Sequence, residues 1–356
     1  MGKTLRFVQS HVGRLVIPVI GVFLAHPLFA AEAAYVVPRT EHGHPDLQGV
    51  WNFTTRTPFI RPEEFGNREF LTADEIQEQD DRRQQSLVST AQREAEIADS
   101  ILNNPANGNT GAVNNFWFEN TGLTANQRTS LIVFPSDGQL PAINEGVRVQ
   151  RSDAGGVREI PGDRPVRYTH GGIDRSGPED RGLSERCLVF NAGPPLMNGP
   201  YNNNLQIFQN SDHVVILTEM GFDARIVPLD GREHVDAKIT SWSGDSRGWF
   251  DGESLVVETR NFTDKIGSIG LRELAIGDAS GRTLTERFTP LAEGVLEYMF
   301  TIDDPATFAD RLIARWPMTR VDENIYEYAC HAGNYALRNI LRGARVEEDR
   351  NNPREN

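Results

Sequence analysis

From residue 129 onward the chain alternates hydrophobic and polar positions in short runs separated by turn residues, the period-two signature of strands with one buried face. The runs at 129–134, 205–209, 214–219, 224–228, 255–259, 283–289, 295–301 and 325–329 each predict a strand. Asp137-Gly138, Asp230-Gly231 and Asp251-Gly252 supply turns that tolerate a positive φ. So many short strands at this spacing predict a mainly β, antiparallel domain, either a closed barrel or a sandwich. Upstream the pattern changes. Residues 31–128 read as an extended lead-in, punctuated by Pro38, Pro45, Pro58 and Pro62 and carrying one short strand near 50–54, followed by a helical wrap. The helix starts at a capping box formed by Thr72 and Glu75 and runs to Asn103. Its apolar residues are so sparse that it belongs on the outside of the fold. The β-rich domain spans 129–346, with a Gly-, Pro- and Arg-rich loop insertion at 141–200, and residues 347–356 form a polar tail.

The first thirty residues read as a signal peptide: Lys3, Arg6 and Arg14 precede an apolar run over 15–30, and the small residues Ala31, Ala33 and Ala34 follow. Pro18, His26 and Pro27 make that run a poor membrane span, so cleavage near Ala30 or Ala33 and a periplasmic or secreted location are expected, with no stable membrane span afterwards. The chain carries 50 acidic and 36 basic residues, a formal charge of −14. Such a field repels phosphate backbones, which argues against nucleic acid as a partner. In an oxidising compartment the only two cysteines, Cys187 and Cys330, read first as one disulfide. The sharper alternative is a Cys-His dyad from Cys330 and His331, although neighbours on a strand point to opposite faces.

Candidate chemistry concentrates between residues 219 and 245. Glu219 or Asp245 with His234 offers an acid and a base, Arg225 or Arg232 offers a guanidinium for developing negative charge, and Trp242 a substrate contact. The competing reading is a turn network in which these arginines pair with Asp223, Asp230 or Glu219. His170, in the insertion, is a further candidate base, and Arg181 and Arg186 are candidate anion clamps. His42-Gly43-His44 puts two imidazoles on one side of an extended chain, a weak metal pair with no third ligand nearby. Gly244-Asp245-Ser246-Arg247-Gly248 matches the Gly-x-Ser-x-Gly elbow, yet Trp249-Phe250-Asp251-Gly252 leads into a turn and a strand rather than the helix that motif requires. No P-loop, Gly-x-Gly-x-x-Gly or His-Glu-x-x-His occurs, and no cofactor is expected.

Gly49-Val50-Trp51 entering a strand resembles the Gly-x-Trp start of lipocalins and other calycin barrels, and the run from Trp249 to Thr259, then Glu286 to Thr289 and Leu296 to Thr301, is similar to the strand succession of bacterial lipocalin-like domains. Pro45-Asp46-Leu47-Gln48-Gly49-Val50-Trp51, Arg128 to Val133 and Ile325 to His331 resemble a broad, largely uncharacterised family of exported bacterial proteins. The resemblance implies a calycin-like barrel around a small, mostly apolar ligand. Taken with the mixed polar cluster, it leads to cofactor-independent acid/base chemistry of the hydratase, lyase or isomerase type on a small apolar or amphipathic molecule. The alternatives are a non-catalytic periplasmic carrier using the same cavity and a metal-dependent enzyme using His42 and His44.

Overall fold

The structure, a computed structural model, describes residues 35–103, 127–151, 174–191, 193–221, 223–271 and 274–351. The expected signal peptide and His170 lie outside these residues. Among them the chain is mainly β. In order it forms β1 (Gly49–Asn52), α1 (Ala73–Asn103), β2 (Ile132–Phe134), β3 (Val149–Arg151), β4 (Asn204–Gln209), β5 (His213–Thr218) and β6 (Ala224–Pro228). There follow β7 (Asp245–Asp251), β8 (Ser254–Arg260), β9 (Ile269–Leu271), β10 (Leu274–Ile276), β11 (Thr283–Ala292), β12 (Val295–Asp303), β13 (Leu312–Val321) and α2 (Tyr335–Asn351).

The main sheet is antiparallel, in the order β6-β5-β4-β1-β13-β12-β11-β8-β7, with β2 added to the free stretch of β13; β3, β10 and β9 make a small separate sheet. Read from β1, the main strands follow one another in chain order, and the first pairs with the last through Val50–Val321. β6 and β7 end the order without pairing each other, so hydrogen bonding does not close the sheet into the expected barrel. The two edges nevertheless approach. A Cβ placed on Gly248 of β7 would lie 2.7 Å from Cγ1 of Val227 on β6, so only a glycine lets the strands come this close.

The alternation seen in the sequence sorts the two faces. Leu284, Glu286 and Phe288 of β11, Leu296, Tyr298, Phe300 and Ile302 of β12, and Leu312, Ala314, Trp316 and Met318 of β13 all point inward and are buried. Tyr298 is the hub, with its ring centroid 5.0 Å from Trp316 and 5.1 Å from Phe288. Each fully buried side chain of this size contributes about 1.5–3 kcal/mol of hydrophobic stabilisation. The Pro45 to Trp51 stretch locks the first strand to the last. Leu47 is wholly buried, the Trp51 indole N–H donates to the Leu47 carbonyl at 2.9 Å, and a Cβ on Gly49 would meet the Arg320 guanidinium of β13 at 3.2 Å.

The helix α1 begins as expected: the Thr72 amide donates to Glu75 at 2.8 Å and the Glu75 amide to the Thr72 hydroxyl at 3.3 Å. None of its described side chains is buried, which agrees with its polar sequence. Three expectations differ. Residues 325–329 form no strand but an irregular strap, held by the Cys187–Cys330 disulfide. Of the tail expected from 347, the described residues 347–351 are the last turn of α2, whose Arg345 reaches the carbonyls of Ser176 and Arg175 at 2.9 and 3.1 Å. Strands β3, β7, β9, β10 and β13 were not foreseen. Pro317 sits mid-β13, where its missing N–H falls between the stretches paired to β2 and to β1 and leaves no ladder bond unmade.

Candidate functional site

Where β5 leaves the sheet, the chain runs through Met220 and Gly221 before returning as β6, and the segment 183–197 of the insertion folds over that end. The segment is tied at both ends. Cys187 is bonded to Cys330, and the Leu196 amide donates to the Tyr298 hydroxyl at 3.0 Å. Between segment and sheet lies a cleft of about 90 Å³ walled mainly by apolar side chains, among them Leu188, Phe190, Met197, Met220, Trp242 and Ile269. Its polar groups are few: Asn191, Thr218, Asp223, Ser243 and Arg282. A smaller hollow of about 30 Å³ continues past Asp223 and Ser243 to Ile216, Leu196 and Arg225.

Beneath the hollow is a buried polar triad that crosses the interior. Arg225 of β6 is paired with Glu286 of β11, with Nη2 3.1 Å from Oε1 and Nη1 bonded to Oε2, and the Tyr298 hydroxyl donates to Oε1 at 2.8 Å. Glu286 is fully buried and the Arg225 side chain only 9% exposed. Burial, reinforced by the neighbouring Glu286 charge, pushes the Tyr298 phenol well above its usual range.

Arg282, in the turn before β11, is a different kind of cation. It lines the cleft yet is 4% exposed, and it stacks 3.8 Å above the Phe262 ring. Nη1 donates to the Ser268 carbonyl at 2.7 Å and Nη2 to the Pro194 carbonyl at 3.2 Å, so it joins two walls of the cleft; Nε has no partner. Burial lowers its pKa to about 10, against the longer-range pull of Asp304 and Glu286.

The residues expected to carry chemistry are divided among several places. Arg225 and Trp242 stand at the hollow and the cleft. Glu219 follows the cleft-lining Thr218 but points away, accepting from the Asn204 amide group at 2.7 Å and the Tyr326 backbone at 3.5 Å. His234 and Asp245 do meet, at 2.8 Å, but on the outer face of β7 and β8, where the second imidazole nitrogen is 3.2 Å from Glu258 and Arg247 holds Asp245 at 2.7 Å. Burial would raise the Asp245 carboxyl, but hydrogen bonds from His234, Arg247 and the Val235 amide outweigh it and hold it below its usual value. Arg247 also donates to the Arg232 and Glu233 carbonyls, so the cluster pins the loop before β7, as the turn-network reading anticipates.

The remaining candidates are in local pairs. Arg232 is bonded to Asp230 in an exposed turn, Arg181 to Glu185 at 2.9 Å, and Arg186 to Glu179 at 2.8 Å. His44 stacks on Phe250 at 4.4 Å while His42 lies 3.5 Å from Glu41, and among the described residues no group of three or more His, Cys, Asp or Glu side chains could hold a metal ion. Ser246 faces inward, 2.9 Å from the Thr259 hydroxyl across the β7–β8 ladder, where a nucleophile elbow cannot form. Cys330 is in the disulfide, which removes the Cys-His dyad. Glu286 and Arg282 were missed. Glu286 had a visible signal, a carboxylate at an inward position between Leu284 and Phe288; Arg282 had none, because its burial depends on Phe262 and Pro194 folding around it. In comparisons with known proteins the chain matches no protein-family model, no curated protein and no solved structure.

Proposed function

We propose that this chain is an exported protein, periplasmic or secreted, that binds a small, mostly apolar molecule in the cleft between segment 183–197 and the open end of a calycin-like barrel. The observation that carries this reading is the cleft: apolar walls with a few convergent polar groups are the usual make-up of a small-ligand site. Its size, room for about three waters, sets the enclosed part of the ligand at a few non-hydrogen atoms, with the rest in the open mouth. The Gly-x-Trp start and the run of alternating strands support the calycin-like reading. The disulfide supports an oxidising compartment.

Binding is favoured over acid/base turnover because, among the described residues, Glu219, His234 and Asp245 face away from the cleft, Glu286 beneath it is already engaged by Arg225 and Tyr298, and Asp223, the carboxylate in its lining, stands exposed and accepts from Ser243. A general base needs a free lone pair within hydrogen-bond reach of its substrate. The test is native mass spectrometry of the mature protein from a periplasmic expression host. A retained organic mass, lost in Trp242→Ala and kept in His234→Ala, is the expected result. Turnover of the retained compound that disappears with His234→Ala would overturn the carrier reading in favour of catalysis.

A further inference from the structure

We infer that the ligand of this cleft carries an anionic group, of the carboxylate class, which pairs with Arg282. The inference rests on the cleft being a binding site and adds the chemistry of what enters it.

A guanidinium has five N–H donors in a planar fork and stays charged when buried. Arg282 uses two of them, on the Ser268 and Pro194 carbonyls, and makes no ion pair among the described residues. Carbonyl dipoles and the Phe262 ring below it soften the burial of the charge without neutralising it. Arg225 shows how this fold treats a cation that is purely structural: it is given a carboxylate on the opposite wall. Arg282 has no such direct partner, and the buried Asp304 and Glu286 act on it only at longer range, although it is one of the polar groups that line the cleft.

A carboxylate bound in the cleft beside Trp242 and Met197 would bring Arg282 the direct ion pair that it lacks. Charge-assisted hydrogen bonds of this kind are about twice as strong as neutral ones. The other charged group of the cleft, Asp223, is exposed at the rim and accepts from the Ser243 hydroxyl at 3.2 Å. It therefore sets an orientation: the anion goes inward, the apolar body lies against the aromatic wall, and any donor on the ligand faces outward.

The experiment is isothermal titration of the mature disulfide-bonded protein with three compounds of nearly equal size: hexanoate, its neutral isostere hexanamide, and hexylammonium. Hexanoate is expected to bind at least tenfold more tightly than either of the others. In Arg282→Met that advantage should fall below threefold, and in Trp242→Ala all three should weaken together. Equal binding of hexanoate and hexanamide, or a preference for hexylammonium, would overturn the anionic class while leaving the cleft in place. An advantage that survives Arg282→Met would overturn the assignment of Arg282. Failure of all three to bind removes the cleft reading itself, and the inference with it. The wild-type comparison needs no variant, so it decides the ligand class even where Arg282→Met does not fold.

Discussion

Glu286 sits among Leu284, Phe288 and Phe300 with no exposure, yet it is ionically tied to Arg225 and accepts from Tyr298. Removing one partner of such a pair strands the other charge in the interior. Glu286→Gln is therefore expected to destabilise the fold by about 3–5 kcal/mol in urea unfolding, whereas Arg225→Met with Glu286→Leu should recover most of it. A double variant no more stable than the single would show that the triad contributes more than charge balance. Tyr298 adds a pH dependence. Its folded pKa is raised, so its contribution is whole below about pH 10, the unfolded value, and is lost as pH rises toward the folded value. Unfolding midpoints between pH 8 and 11 should fall more steeply in the wild type than in Tyr298→Phe; parallel curves would sink this assignment. Residues were legible where a local rule held. The Thr72–Glu75 cap and the Cys187–Cys330 pairing followed from neighbours or counts. His234 and Asp245 were rightly placed together but on the wrong face, because alternation gives two faces without saying which one is inside.

At the scale of elements, the strands most clearly legible were apolar or alternating runs bounded by turn residues: β6 was predicted to the residue, and β4, β5, β8, β11 and β12 nearly so. β13 and β7 were not; each carries a residue uncommon inside a strand, Pro317 and Gly248. Each is tolerated because of what lies beside it, a gap in pairing for Pro317 and the closely approaching β6 for Gly248. The second case gives a prediction. In Gly248→Val the added side chain meets Val227 at 2.7 Å and Leu229 at 3.1 Å, and the β6 and β7 edges must separate. Overpacking of this kind costs about 1–3 kcal/mol. Hydrogen exchange should accelerate in β6 and β7 with little change in β12, and uniform acceleration across the sheet would contradict a local seam.

For the whole molecule, the disulfide is the covalent tether. It joins residues 143 apart in sequence and fixes the C-terminal strap against segment 183–197, with Tyr328 edge-on to Phe190 at 5.4 Å and Asn334 bonded to the Glu185 carbonyl at 3.0 Å. Constraining so large a loop in the unfolded chain is worth about 2–5 kcal/mol. Cys187→Ser with Cys330→Ser should lose that amount, free the strap to limited proteolysis after residue 321, and weaken ligand retention, since Phe190 and Leu188 wall the cleft. Unchanged ligand retention after strap release would separate the cleft from the tether.

The pairing of β1 with β13 also bears on how the chain comes to be folded. β1 is made early, and the partner of Val50 is Val321, almost at the end of the domain. β4 can cover one edge of β1 as soon as residue 209 has been synthesised, but the other edge stays bare until β13 arrives. Contacts of such sequence separation form slowly, and uncovered strand edges recruit other chains. A chain ending before Leu312 would leave the edges of β1 and of the nine-residue β12 unsatisfied together, and is expected to aggregate rather than fold as a smaller sheet. The last strand to be synthesised is thus the one that makes the first strand safe.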